Sequence, residues 1–144
     1  MILVTGAGGM FGGVLRASGI GDALANTLGG IGVPVILACF LISLILRVAQ
    51  GSATVALVTT AGLMGTTVAS GGFNGVQLAA IVLATAAGSV AASHVNDSGF
   101  WLVGRLMGMD VATTLRTWTV METAISVIGF ALSAIVFYGA GMFG

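Results

Sequence analysis

One histidine and one aspartate, three residues apart, interrupt a long apolar stretch: Ser93-His94-Val95-Asn96-Asp97-Ser98-Gly99-Phe100-Trp101. Ionisable groups are costly in lipid and persist where they face a cavity, a partner or a substrate path. Asp97 is the leading candidate for a proton-coupling group. Burial disfavours its charged form and a nearby cation favours it, so its charge can be linked to occupancy of the site. His94 titrates near neutrality and could carry the proton instead, or orient Asp97. The plainer reading is a His-Asp pair that only holds a break in the chain. Arg47 offers a planar fork that could clamp a substrate carboxylate, or serve as the fixed counter-ion of Asp97 or Glu122. It lies about one helical turn before Gly51-Ser52-Ala53-Thr54, where the hydroxyls of Ser52 and Thr54 and the neighbouring backbone N–H groups suit a small polar substrate. Gly51, Asn96 and Ser98 complete the candidate substrate contacts.

Composition sets the environment of these groups. The 144 residues are 58% hydrophobic and 6% charged, against about 25% charged in soluble domains. Too little polar surface is present to solvate a globule, so the class is integral membrane. Net charge is zero and lysine is absent, which gives no support for a nucleic-acid partner. Cys39 has no second cysteine to pair with and reads as a small buried hydrophobe. One histidine and one distant cysteine make no ligand cluster, so neither a metal nor another cofactor is expected, and a membrane-embedded enzyme is disfavoured. Gly6, Gly9 and Gly12 echo a nucleotide-binding turn, but no alternation of strand and helix follows them. Close helix packing is the better reading of these glycines. The opening Met1-Ile2-Leu3-Val4-Thr5-Gly6 lacks a basic n-region and reads as the end of an apolar helix, hence as a fragment or a late-starting frame.

The expected fold is an all-α integral membrane unit. Residues 10–28 alternate apolar and polar groups at helical spacing and form an interfacial arm. Residues 33–68 hold two short apolar runs hinged at Gly51 and read as a re-entrant hairpin, the alternative being one tilted helix kinked there. A hairpin tip at membrane depth must be buried in protein or line a cavity. Residues 76–109 read as a broken transmembrane helix, with Ala80, Ala84, Gly88 and Ala92 giving a smooth packing face to its first half. Asn96, Asp97 and Ser98 are good N-caps for a second half starting near Phe100. The ends of such half-helices hold anions and coupling ions. The alternative is an ordinary surface loop. Gly104 to Thr117, with Arg105 and Arg116, is the most basic loop and is assigned to the cytoplasm. Residues 118–138 form the final span, with Trp118 and Tyr138 at its ends and the C-terminus outside.

The stretches Arg47-Val48-Ala49-Gln50-Gly51-Ser52-Ala53-Thr54-Val55-Ala56 and Ser93-His94-Val95-Asn96-Asp97-Ser98-Gly99-Phe100-Trp101 closely resemble two signatures of the gluconate permease (gluconate:proton symporter) family. Thr5-Gly6-Ala7-Gly8-Gly9 and Thr117-Trp118-Thr119-Val120-Met121-Glu122-Thr123 fit the same family at the same relative positions. Members are several times this length, so the chain looks like a C-terminal portion. The resemblance implies proton-driven uptake of gluconate or a related sugar acid across the bacterial inner membrane. It also implies an inverted-repeat architecture in which each repeat carries an arm helix, a re-entrant hairpin and a broken helix, with substrate between the hairpin tips. This chain would supply one half-site. Its partners would be protons, a small carboxylate substrate, the lipid bilayer, and the missing N-terminal repeat or a second copy of itself. Related branches carry D-glycerate or D-serine, and a non-transporting assembly fragment stays open beside them.

Overall fold

The computed structural model describes residues 33–142, together with residues 10, 14, 17–19 and 23. The interfacial arm expected over 10–28 lies largely outside the described residues. All regular elements among them are helical: α1 (Val35–Gln50), α2 (Ala53–Ser70), α3 (Gly75–Val90), α4 (Ser98–Leu106) and α5 (Val111–Met142).

Local chemistry sets the boundaries. Pro34 caps α1, its carbonyl accepting from Leu37 and Ala38. Gly51 stops the helix in a left-handed conformation (φ 75°), returning its N–H to Arg47 O at 2.8 Å. Ser52 then caps α2, its hydroxyl accepting from Val55 N at 3.4 Å. The chain thus turns between two helices in two residues, and α1 packs along α2. At α3, Asn74 and Gln77 form a reciprocal capping box. After Val90 the backbone unwinds until Asp97. Within that break Ala92 takes φ 50°, a conformation that costs an L-residue about 1–2 kcal/mol.

Two boundaries differ from expectation. The helix expected from Phe100 to about Met109 runs from Ser98 to Leu106. The basic stretch Gly104 to Thr117 is not a loop. It closes α4, turns over Met107 to Asp110, and enters α5 at Val111, well before Trp118. The reason is local: Asp110 is an N-cap whose carboxylate accepts from Thr113 N at 2.9 Å. A π-helical turn, Leu115–Thr119, interrupts α5 near its start. By length and composition α2 and α5 are each long and apolar enough to cross a membrane.

The central helix is α3, packed against α1, α2 and most extensively α5. Its small face is buried at Ala80, Ala84 and Gly88. A Cβ at Gly88 would stand 2.4 Å from Phe40 O, so the α1 and α3 backbones nearly touch there. Ile36, Cys39, Ile42, Leu63, Met64, Ile81 and Phe137 fill the core around this contact. Elsewhere on α5, Val120, Ile125, Ile128, Leu132 and Ile135 are exposed. A continuous apolar face of this kind belongs in lipid or against more protein.

Candidate functional site

The helix turn at Gly51 and the helix break at Asp97 meet. The last turn of α1 delivers Arg47, 4% exposed, and the break delivers Asp97, 8% exposed. Arg47 Nη2 donates to Asp97 Oδ2 at 2.5 Å, and Arg47 Nη1 donates to Gly51 O at 2.7 Å. One guanidinium therefore ties the turn to itself and to the break. Asn96 Nδ2 adds a second tie, donating to Val48 O at 2.9 Å. The two backbones approach so closely that a Cβ on Gly51 would lie 2.3 Å from Asn96 O. No other residue fits both this proximity and the left-handed φ.

Asp97 does two jobs. As the N-cap of α4 its Oδ1 accepts from Gly99 N at 2.9 Å, and its Oδ2 accepts from both Arg47 and Ser93 Oγ. The buried charge is thus paired and hydrogen-bonded, as a charge out of water must be. Arg47 Nε and Gln50 Nε2 are buried side-chain donors with no partner among the described residues. Unpaired buried donors of this kind mark a place where a ligand or water fits.

The remaining candidates divide. Gly51 and Asn96 join Arg47 and Asp97 directly. Ser52 is half-buried at the turn, its hydroxyl engaged as the α2 cap, while Thr54 and Ser98 are exposed at the starts of α2 and α4. The hydrogen bonds of the Asp97 carboxylate do not include the His94 imidazole, whose Nδ1 lies 2.8 Å from Ala92 O, a pure acceptor, which assigns the ring proton to Nδ1. Only the His94 carbonyl serves Asp97, accepting its N–H at 2.8 Å. Arg47, of the two counter-ion partners expected, bonds Asp97; Glu122 is half-buried on α5, within electrostatic reach of both.

Sequence reasoning missed the groups that hold Asp97 from behind. Ser93 carries no role in the sequence pattern, yet its hydroxyl donates to Asp97. Trp118 Nε1 donates to Ser93 Oγ at 2.9 Å, and Thr119 Oγ1 donates to Ser93 O. In the sequence Trp118 marks only the end of the final span. A contact across 25 residues has no local spacing signal. The larger grooves are apolar and lie elsewhere; one of about 380 Å³ between α3 and α5 is lined by Leu83, Ala87, Ile125 and Leu132. Such walls offer nothing to a charged, hydroxyl-rich solute.

Residues 1–138 match the family described as GntP family permease. The chain belongs to the GntP permease family. It is 51% identical over 133 residues to the inner membrane permease YgbN of Escherichia coli K12, covering 92% of this chain and 29% of that protein. It is 44% identical over 137 residues to the low-affinity gluconate transporter of Escherichia coli K12, covering 95% of this chain and 31% of that protein. With the gluconate permease of Bacillus subtilis it shares 46% identity over 129 residues, covering 90% of this chain and 28% of that protein. The chain thus spans under a third of the length of these GntP relatives. No solved structure matches it.

Proposed function

We propose that the GntP permease containing this chain carries gluconate or a related sugar acid across the bacterial inner membrane, coupled to inward proton flow, with this chain supplying one half of the substrate site. The observation that carries the reading is the buried Arg47–Asp97 pair joining the helix turn to the helix break. The names of the gluconate-transporting relatives support the substrate class.

The coupling follows from charge. Arg47 brings a guanidinium charge into a buried place, so it needs an anion. In the structure that anion is Asp97. Protonation of Asp97 removes its charge and frees Arg47 for the carboxylate of the sugar acid. The guanidinium exchanges one carboxylate for another, and the site never holds an uncompensated buried charge. The unpaired Arg47 Nε and Gln50 Nε2 add donors for the same ligand. Ser52, Thr54, Asn96 and Ser98 rim the pair and serve the substrate hydroxyls. The α1–α2 hairpin acts as a re-entrant tip and α3–α4 as a broken transmembrane helix. The facing wall comes from the rest of the permease.

Gluconate binding to the full-length permease, measured by calorimetry across pH, tests the exchange. Wild-type affinity is expected to weaken as pH rises, because Asp97 must be protonated to release Arg47. Asp97→Asn is expected to bind with little pH dependence. An Asp97→Asn protein whose affinity follows the wild-type pH curve would refute the exchange.

A further inference from the structure

Ser93 is 1% exposed and carries a single hydroxyl proton. Its oxygen accepts from Trp118 Nε1, 2.9 Å away, and its proton goes to Asp97 Oδ2. An indole N–H can only donate, so Trp118 fixes the direction of this relay. The hydroxyl must turn its lone pair to α5 and its proton to the aspartate. Thr119, the next residue on α5, holds the Ser93 carbonyl. Trp118 and Thr119 both belong to the π-helical turn Leu115–Thr119. A π turn has more residues per turn than an α turn, so consecutive side chains diverge less, and such turns recur at functional sites. Here two consecutive side chains grip one residue.

The relay favours the charged form of Asp97. The ionised carboxylate accepts from Arg47, Ser93 and Gly99. A proton on Oδ2 would face two donors aimed at it, and a proton on Oδ1 would leave Arg47 and Ser93 donating to a neutral oxygen, so either form weakens bonds that the charge strengthens. Ser93 cannot reverse while Trp118 donates to it without stranding its own proton in a buried place. We infer that Ser93 and Trp118 are positioning residues that hold Asp97 in its charged form, so that α5, through its grip on the helix break, opposes protonation of the coupling group. The charged groups around Asp97 are Arg47 from α1 and Glu122 from α5, with His94 in the break itself and the Gly99 N–H from α4. None of these changes charge when Trp118 or Ser93 is replaced by a neutral residue.

This inference rests on Asp97 as the coupling group, and its test separates the two. Gradient-driven uptake by the full-length permease in proteoliposomes is measured against external pH. Trp118→Phe keeps a ring but removes the N–H. Ser93→Ala removes the hydroxyl. Both make the protonated aspartate easier to accommodate, so the alkaline limb of the profile is expected to move to higher pH. A hydrogen bond to a charged group translates to about one pH unit for Ser93→Ala, with a smaller shift for Trp118→Phe. Trp101→Phe removes the other described indole N–H, which bonds Val95 O at 2.8 Å, and is expected to leave the profile in place. Should Ser93→Ala fail to accumulate, the Trp118→Phe and Trp101→Phe comparison carries the test alone. If Asp97→Asn abolishes uptake while Trp118→Phe keeps the wild-type profile, the positioning role is overturned and the coupling role stands. If Asp97→Asn transports like wild type, both are overturned.

Discussion

Arg47 and Asp97 show how one buried ion pair can be structural and available at once. Each also serves its own backbone element: Arg47 closes the α1 turn on Gly51 O, and Asp97 caps α4 through Gly99 N. Loss of the pair through proton exchange would therefore leave both elements with a remaining tie. A tight steric constraint against backbone lies beside them, at Gly51. A methyl group there would meet Asn96 O and occupy a left-handed backbone. Gly51→Ala is expected to destabilise the folded permease by about 2–5 kcal/mol, adding backbone strain to the clash. Gly65→Ala, where a Cβ would meet nothing within 4 Å, is the control and should hold or slightly raise stability. Thermal unfolding of detergent-solubilised protein reads both; equal melting of Gly51→Ala and wild type would contradict the close approach.

At the scale of elements, residue chemistry made the helix ends legible and left their partners hidden. Gly51-Ser52 announced a turn because glycine tolerates left-handed backbone and serine caps helices. Asn96, Asp97 and Ser98 announced a break for the same reason, and Asp97 is the residue that caps. The four-residue spacing of Ala80, Ala84 and Gly88 showed which face of α3 is packed. The start of α5 is hidden in the sequence because Arg105 and Arg116 suggest a basic loop, whereas the Asp110 cap precedes a helix-compatible run. The pairing of turn with break, and the hold of Trp118 on Ser93, depend on packing between distant segments, which single-chain spacing does not encode. The α5 cap has a pH dependence of its own. Asp110 is exposed, and hydrogen bonds from the Thr113 side chain and backbone hold its carboxyl below its ordinary value of 3.8. A depressed carboxyl contributes stability that is complete above the unfolded value and is lost as pH falls through the lower folded one. Corrected hydrogen-exchange protection at the start of α5 should therefore fade below about pH 4 in wild type. In Asp110→Asn, which keeps an acceptor but does not ionise, it should stay level. Parallel curves for the two proteins would dissociate the carboxylate from the cap.

At the scale of the molecule, the chain is an α-helical piece of a GntP permease, with an apolar core and one buried ion pair among the described residues. Its exposed apolar side chains on α5 need lipid or the rest of the permease around them. The pair of Arg47 and Asp97 sits where the α1–α2 turn meets the helix break, and the proposed exchange of one carboxylate for another rests on it. Imposed-gradient uptake of gluconate by the full-length permease in proteoliposomes, with Asp97→Asn beside wild type, addresses this most directly. Asp97→Asn is expected to lose accumulation driven by an inward proton gradient while still exchanging gluconate across the membrane at equal pH. Wild-type accumulation by Asp97→Asn would contradict a coupling role for the pair.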